Sequence, residues 1–169
     1  LKYKDKIMND AHFHLVVNHI PIVGVLIGFL VLLSGYIIKS SQVKTTALGI
    51  FIFSTLTAIA AYYTGGGAEN IVENLPGISE TLIHKHEELA DIFFTMMLIL
   101  GSASLLTLFF KSKKFVFVKY GYALVLLLSI GCVVISKYVG TSGGEITHIE
   151  IRNDTSVIKL DSNHDSLDN

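Results

Sequence analysis

The stretch that decides the fold is residues 20–38, IPIVGVLIGFLVLLSGYII, an apolar run that no Asp, Glu, Lys or Arg interrupts. Its length is close to the ~20 residues an α-helix needs to cross the hydrocarbon core of a bilayer. Working outward, three comparable runs follow at residues 45–63, 89–110 and 115–136. The 169 residues therefore predict four transmembrane helices and not one soluble domain, in keeping with 51% hydrophobic and only 16% charged residues, where soluble domains carry about 25% charged. The expected fold class is an all-α membrane protein, a four-helix transmembrane bundle. Its helices lie at about 14–38, 45–63, 79–110 and 115–138 in a domain over residues 1–151, with 152–169 as a polar tail. The first run is too long for a signal-peptide core and no small-residue cleavage pattern follows it.

Charge gives the orientation. Lys39 and Lys44 lie between the first two runs, and Lys111, Lys113, Lys114 and Lys119 between the last two, with no carboxylate in either connection. The positive-inside bias puts both connections in the cytoplasm of a bacterial inner membrane. The remaining connection, residues 64–88, holds Glu69, Glu73, Glu80, Glu87 and Glu88 against Lys85 and belongs outside, with both termini. Lys2, Lys4 and Lys6 run against this bias, and they are read as an extension ahead of Met8.

Several functions are excluded. A single cysteine, Cys132, gives no disulfide framework, no CxxCH haem attachment and no cysteine zinc site, and reads as a small apolar filler. A net charge of −1 without a basic cluster interleaved with aromatics gives no footprint for nucleic acid. No Asp, Glu, Lys or Arg lies in the middle of a helix except Asp91, near the outer end of the third; a pump or transporter normally keeps such groups at depth. No Ser-His-Asp or Cys-His arrangement suggests nucleophilic catalysis, so no catalytic residue is assigned.

What remains is a set of seven histidines, all on the outer side: His12, His14 and His19, His84 and His86, and His148 and His164. They fall into two halves of similar layout. The first runs from His12 and His14 through two helices to Thr64-Gly65-Gly66-Gly67-Ala68-Glu69, the second from His84 and His86 through two helices to Thr141-Ser142-Gly143-Gly144-Glu145. Such a parallel two-helix repeat would bring its outer ends together, although glycine-rich exits also mark places where helices stop. Helical spacing puts His86 on one face with Leu82, Ala90, Phe93 and Met97, and His84 on another with Glu88 and Asp91. His86 is therefore the inward candidate. In helix 1 a stripe of Pro21, Gly24, Gly28 and Gly35 would admit a neighbouring helix or a flat cofactor. His14 lies beside it, with His12 and His19 opposite unless Pro21 breaks the helix. Residues 68–75 read as a short helix lying over the outer mouth, and the two glycine-rich stretches as possible anion nests that match no phosphate-loop pattern.

The sequence resembles a family of uncharacterised bacterial four-helix membrane proteins, a domain of unknown function with histidine-rich outer-face motifs sometimes found beside cytochrome c domains. The resemblance is carried by residues 11–24 (AHFHLVVNHIPIVG), residues 64–69 (TGGGAE), His86, Glu87 and Ala90, and residues 143–148 (GGEITH) with Glu150. Thr147 stands where the resemblance leads one to expect arginine. What it implies is company with redox proteins, not a reaction.

Two imidazoles from different helices facing across an apolar slot are what a b-type haem requires. The candidate ligands are His14, His19, His86 and His148, with Phe93, Phe94, Met96, Met97 and Tyr62 or Tyr63 as lining. The corresponding function is a non-catalytic membrane electron-transfer subunit, partnered by lipid and by a redox protein such as a cytochrome c or a larger membrane complex, with an oligomer as a further expectation. The alternative is a non-haem site for zinc, copper or iron built from His12, His14, His86, Glu87 and His148. A third reading is purely structural, with the same groups tying the outer helix ends together.

Overall fold

The computed structural model describes residues 10–72, 78–148 and 151–152. Among them five helices occur: α1 Asp10–Val17, α2 His19–Ile37, α3 Ser41–Val72, α4 Glu80–Ser112 and α5 Val118–Thr147. Phe13–Ile37, Ser41–Ile71, Glu80–Ser112 and Val118–Ile146 are each long and apolar enough to cross a membrane, which makes the chain a multi-pass membrane protein. In hydrocarbon every backbone N–H and C=O must be satisfied within the chain, and the helix does so segment by segment. α2 packs on α3, α3 on α4 and α4 on α5, and α5 closes the ring against α2, while α1 lies on α3. Val25, Leu32, Phe51, Met97, Leu100 and Val125 fill the centre. Leu127, 68% exposed, and Phe53, Leu56 and Leu105 cover the outside, which suits a lipid solvent.

Close approach of the helices rests on small residues. The Gly24, Gly28 and Gly35 stripe of α2 is met by Ser54, Phe51 and Lys44 of α3, so it serves helix packing, and an open apolar groove of about 390 Å³ runs beside Gly24 and Ser54 up to His19. On the other side of the bundle Gly101 receives Thr55, and Gly121 receives Thr107.

At four places the chain departs from its sequence expectation. The first helix is broken at Asn18, between α1 and α2. Pro21 explains this, since its ring collides with the carbonyl four residues back, at Val17, and it has no N–H to donate. The glycine-rich stretches are not exits. α3 runs through Gly65–Gly67 to Val72, and α5 through Gly143–Gly144 to Thr147, so neither forms a nest. The short helix expected at residues 68–75 is the last turn of α3 as far as Val72, and its remainder lies outside the described residues. Arg152, assigned to the tail, instead folds back: its Nε donates to the Glu145 carbonyl at 2.8 Å and its Nη2 to that of Ile146 at 2.8 Å, capping α5. The rest of the tail, 153–169 with His164, lies outside the described residues.

The two lysine-bearing turns share one geometry. After α2, Lys39 has φ 54, with Ser40 N donating to Gly35 O at 3.0 Å and Lys39 N to Tyr36 O at 3.2 Å. After α4, Lys114 has φ 56, with Phe115 N donating to Phe110 O at 3.1 Å and Lys114 N to Lys111 O at 3.0 Å. Both are Schellman closures, in which glycine usually takes the left-handed position. The contact between Phe110 and Phe115, ring centroids 5.7 Å apart, completes the second one. Helices of 30 to 33 residues are about 45–50 Å long, well beyond the ~30 Å hydrocarbon core. Because the lysine turns are short, most of the excess projects at the histidine end.

Two outcomes are expected from this packing. Lys114→Gly removes the cost of a side chain in the left-handed region and raises stability by about 1 kcal/mol. Gly35→Ala places a Cβ 2.9 Å from the Lys44 backbone nitrogen, which cannot swing away, and lowers stability by roughly 1–3 kcal/mol. Thermal unfolding of the purified protein in detergent measures both.

Candidate histidine site at the helix ends

Two of the histidines are held in the same way. His14 on α1 is half-buried against α3, its Nδ1 3.1 Å from the Ala61 carbonyl and 3.2 Å from Thr64 Oγ1. A carbonyl only accepts, so Nδ1 carries the hydrogen and donates. The neutral ring then keeps its lone pair on Nε2. His86 on α4 has Nδ1 3.0 Å from Ser142 Oγ on α5. The Ser142 hydroxyl donates its own hydrogen to the Val139 carbonyl at 3.0 Å. In that arrangement its oxygen accepts from the ring, which makes His86, like His14, the Nδ1–H tautomer with the lone pair on Nε2. This is the state in which imidazole acts as a ligand, and an Nδ1–H bond to a carbonyl or hydroxyl is the usual way a ligating histidine is aimed.

The glycines explain how the rings fit. A Cβ at Gly143 would lie 3.1 Å from His86 Cε1, and one at Gly65 would lie 3.7 Å from His14 Cε1. In each half a hydroxyl residue followed by glycine receives a histidine, Thr64-Gly65 that of α1 and Ser142-Gly143 that of α4. The rings are near enough for a charge on His14 to act on His86.

The other expected residues are placed elsewhere. His19, at the start of α2, is exposed and hydrogen-bonds the Asn18 side chain. His148 is exposed just past α5, its backbone N–H donating to Gly144 O at 3.0 Å. His12 belongs to α1, and its side chain lies outside what is described. Glu87 pairs with the exposed His84 at 3.2 Å and with the carboxyl of Glu69, not with His86. Of the expected lining, Phe93 and Met97 are buried in the core and Tyr62 stacks on Phe94 at 4.1 Å, while Tyr63 is exposed. Among the described residues no three His, Cys, Asp or Glu side chains are grouped to hold a metal ion.

Sequence reasoning missed Thr64 and Ser142 as the residues that aim the histidines, although the hydroxyl-glycine pair ending each half was a visible signal. It also missed the clamp beside them, in which Lys85 Nζ on α4 meets the buried Glu145 on α5 at 3.0 Å. Comparison of the chain with protein-family models, with curated proteins and with solved structures finds no match.

The geometry separates two substitutions that look equivalent. Gly143→Ala forces the His86 ring to yield, so its 15N imidazole signals shift and its protons exchange faster. Gly65→Ala makes ordinary van der Waals contact and leaves the His14 signals in place. Equal effects at the two sites would contradict the placement of the rings.

Proposed function

We propose that the protein is a membrane electron-transfer subunit that binds a b-type haem through Nε2 of His14 and Nε2 of His86. The observation that carries this reading is the shared tautomer: both imidazoles have Nδ1–H committed to acceptors on a neighbouring helix and Nε2 left with its lone pair. Two neutral imidazoles from different helices are the donor set for axial ligation. The α2 glycine stripe packs against α3 side chains, so the fit rests on the histidine end alone, where the two rings lie against Gly65 and Gly143. When bound there, haem would supply a one-electron couple. The chain's part is to aim the two rings, through Thr64 with the Ala61 carbonyl and through Ser142, and to brace α4 against α5 with Lys85 and Glu145.

A bare zinc, copper or iron site at the same place has less support, because Glu87 turns to His84 and Glu69. In this reading the histidine end faces the periplasm of a bacterial inner membrane, as the lysines at the opposite end favour. The electron partner is then a periplasmic cytochrome c or a larger membrane complex.

Protein purified from membranes is expected to show a Soret band and a reduced-minus-oxidised difference spectrum. Both His14→Ala and His86→Ala should abolish it, and His19→Ala and His148→Ala should keep it. Colourless protein with stoichiometric zinc or copper would move the assignment to the metal site, and colourless metal-free protein would leave only a structural role. For the orientation, a cysteine at Ser112 should label only from the cytoplasmic side.

A further inference from the structure

The end opposite the histidines carries its own construction. Between Asp91 and Glu145 the chain holds no Asp or Glu, yet Lys111, Lys113, Lys114 and Lys119 crowd the α4–α5 turn. Lys111 is turned inward to the Thr45 hydroxyl, whose oxygen also lies 2.9 Å from the buried Tyr122 phenol. The other three are exposed. Lys113 Nζ lies 5.9 Å from the centre of the Phe109 ring and Lys119 Nζ 5.0 Å from that of Tyr120. Lys114 occupies the left-handed position that glycine would fill with less strain, so a charge is kept there at a conformational cost.

Beneath these lysines opens an apolar groove of about 610 Å³ between α4 and α5, with Phe110, Phe117 and Tyr120 near its mouth and Leu98 and Leu124 farther along. It exists because Gly121 and the small side chain of Ala103 form its floor, with Gly121 held tightly against Thr107. From Phe110 to Leu98 is 12 residues of helix, roughly 18 Å, against roughly 15 Å for one leaflet of a ~30 Å hydrocarbon core. The groove therefore starts at a cluster of cations and runs the depth of one leaflet.

We propose that this groove binds an anionic phospholipid of the adjoining leaflet, its acyl chain lying between α4 and α5 and its phosphate held by Lys113, Lys114 and Lys119. Charge complementarity selects the occupant. Three exposed cations with no ion-paired carboxylate among the described residues discriminate against a zwitterionic headgroup and against a second copy of the same basic turn, and lysines beside a membrane helix attract anionic lipid at the cytoplasmic surface. The inference does not depend on what the histidines bind.

The test is native mass spectrometry of the full chain released from nanodiscs of mixed phosphatidylglycerol and phosphatidylcholine with identical acyl chains. Retained phosphatidylglycerol should exceed phosphatidylcholine, and each change among Lys113→Gln, Lys114→Gln and Lys119→Gln should lower that ratio about fivefold. Ser102→Phe fills the groove and leaves the lysines intact, so it should release the lipid with the helical content unchanged. Glycerol phosphate, which has the headgroup charge without a chain, should not compete. Equal retention of both lipids, survival of binding in Ser102→Phe, competition by glycerol phosphate, or disulfide-linked dimers of Ser102→Cys formed in the membrane would each overturn the proposal.

Discussion

Every hydrogen-bonding group inside a bilayer must find its partner within the protein, and the bundle is organised around that requirement. Its buried hydroxyls, Ser104 excepted, bend back onto their own helices: Ser54 to Ile50, Thr107 to Ala103, Ser129 to Leu126, Ser136 to Val133 and Ser142 to Val139. A hydroxyl satisfied in this way behaves as a small packing residue, so Thr55 can sit against Gly101 and Thr107 against Gly121. The same back-bonding aims the histidines. Once Ser142 has given its hydrogen to Val139, its oxygen can only accept, and that fixes which nitrogen of His86 carries the proton. One local rule therefore serves both the membrane interior and the site at its edge.

Much of the bundle was readable from hydropathy, because uninterrupted apolar runs of this length have few other uses. Helical spacing also separated His86 from His84, and the structure has the first half-buried and the second exposed. The ends of the helices were harder. Glycine disfavours helix by about 1 kcal/mol relative to alanine, so Gly65–Gly67 and Gly143–Gly144 read as stops. In the folded chain the space at Gly65 and Gly143 is taken by an imidazole, and that contact exists only once another helix has packed alongside. His14 and His86 were legible as candidates and their acceptors were not, since Ala61, Thr64 and Ser142 lie 47 to 56 residues away along the chain. The break at Asn18 had a visible cause in Pro21, but its position was open until the structure placed it one turn earlier.

The two halves agree in more than layout. Each closes its lysine turn with a Schellman motif carrying lysine in the left-handed position, and each ends on a hydroxyl-glycine pair that receives a histidine. They differ where α1 and α2 are separate helices while α4 runs unbroken. His14 is therefore carried by an eight-residue segment packed on α3, and His86 by a 33-residue helix that spans the bundle.

The pairing of each histidine with its acceptors bears on how such a chain is assembled. His14 finds Ala61 and Thr64 inside the first half, and His86 finds Ser142 inside the second. Neither ring needs the other half in order to be set. Membrane helices insert first and associate afterwards, so each hairpin can orient its own imidazole while the two are still apart in the bilayer. Association then brings together two rings whose tautomers are already fixed, and the loss of conformational freedom has been met within each half. A protein built in this order could exchange whatever it binds by parting the hairpins, without unfolding either one.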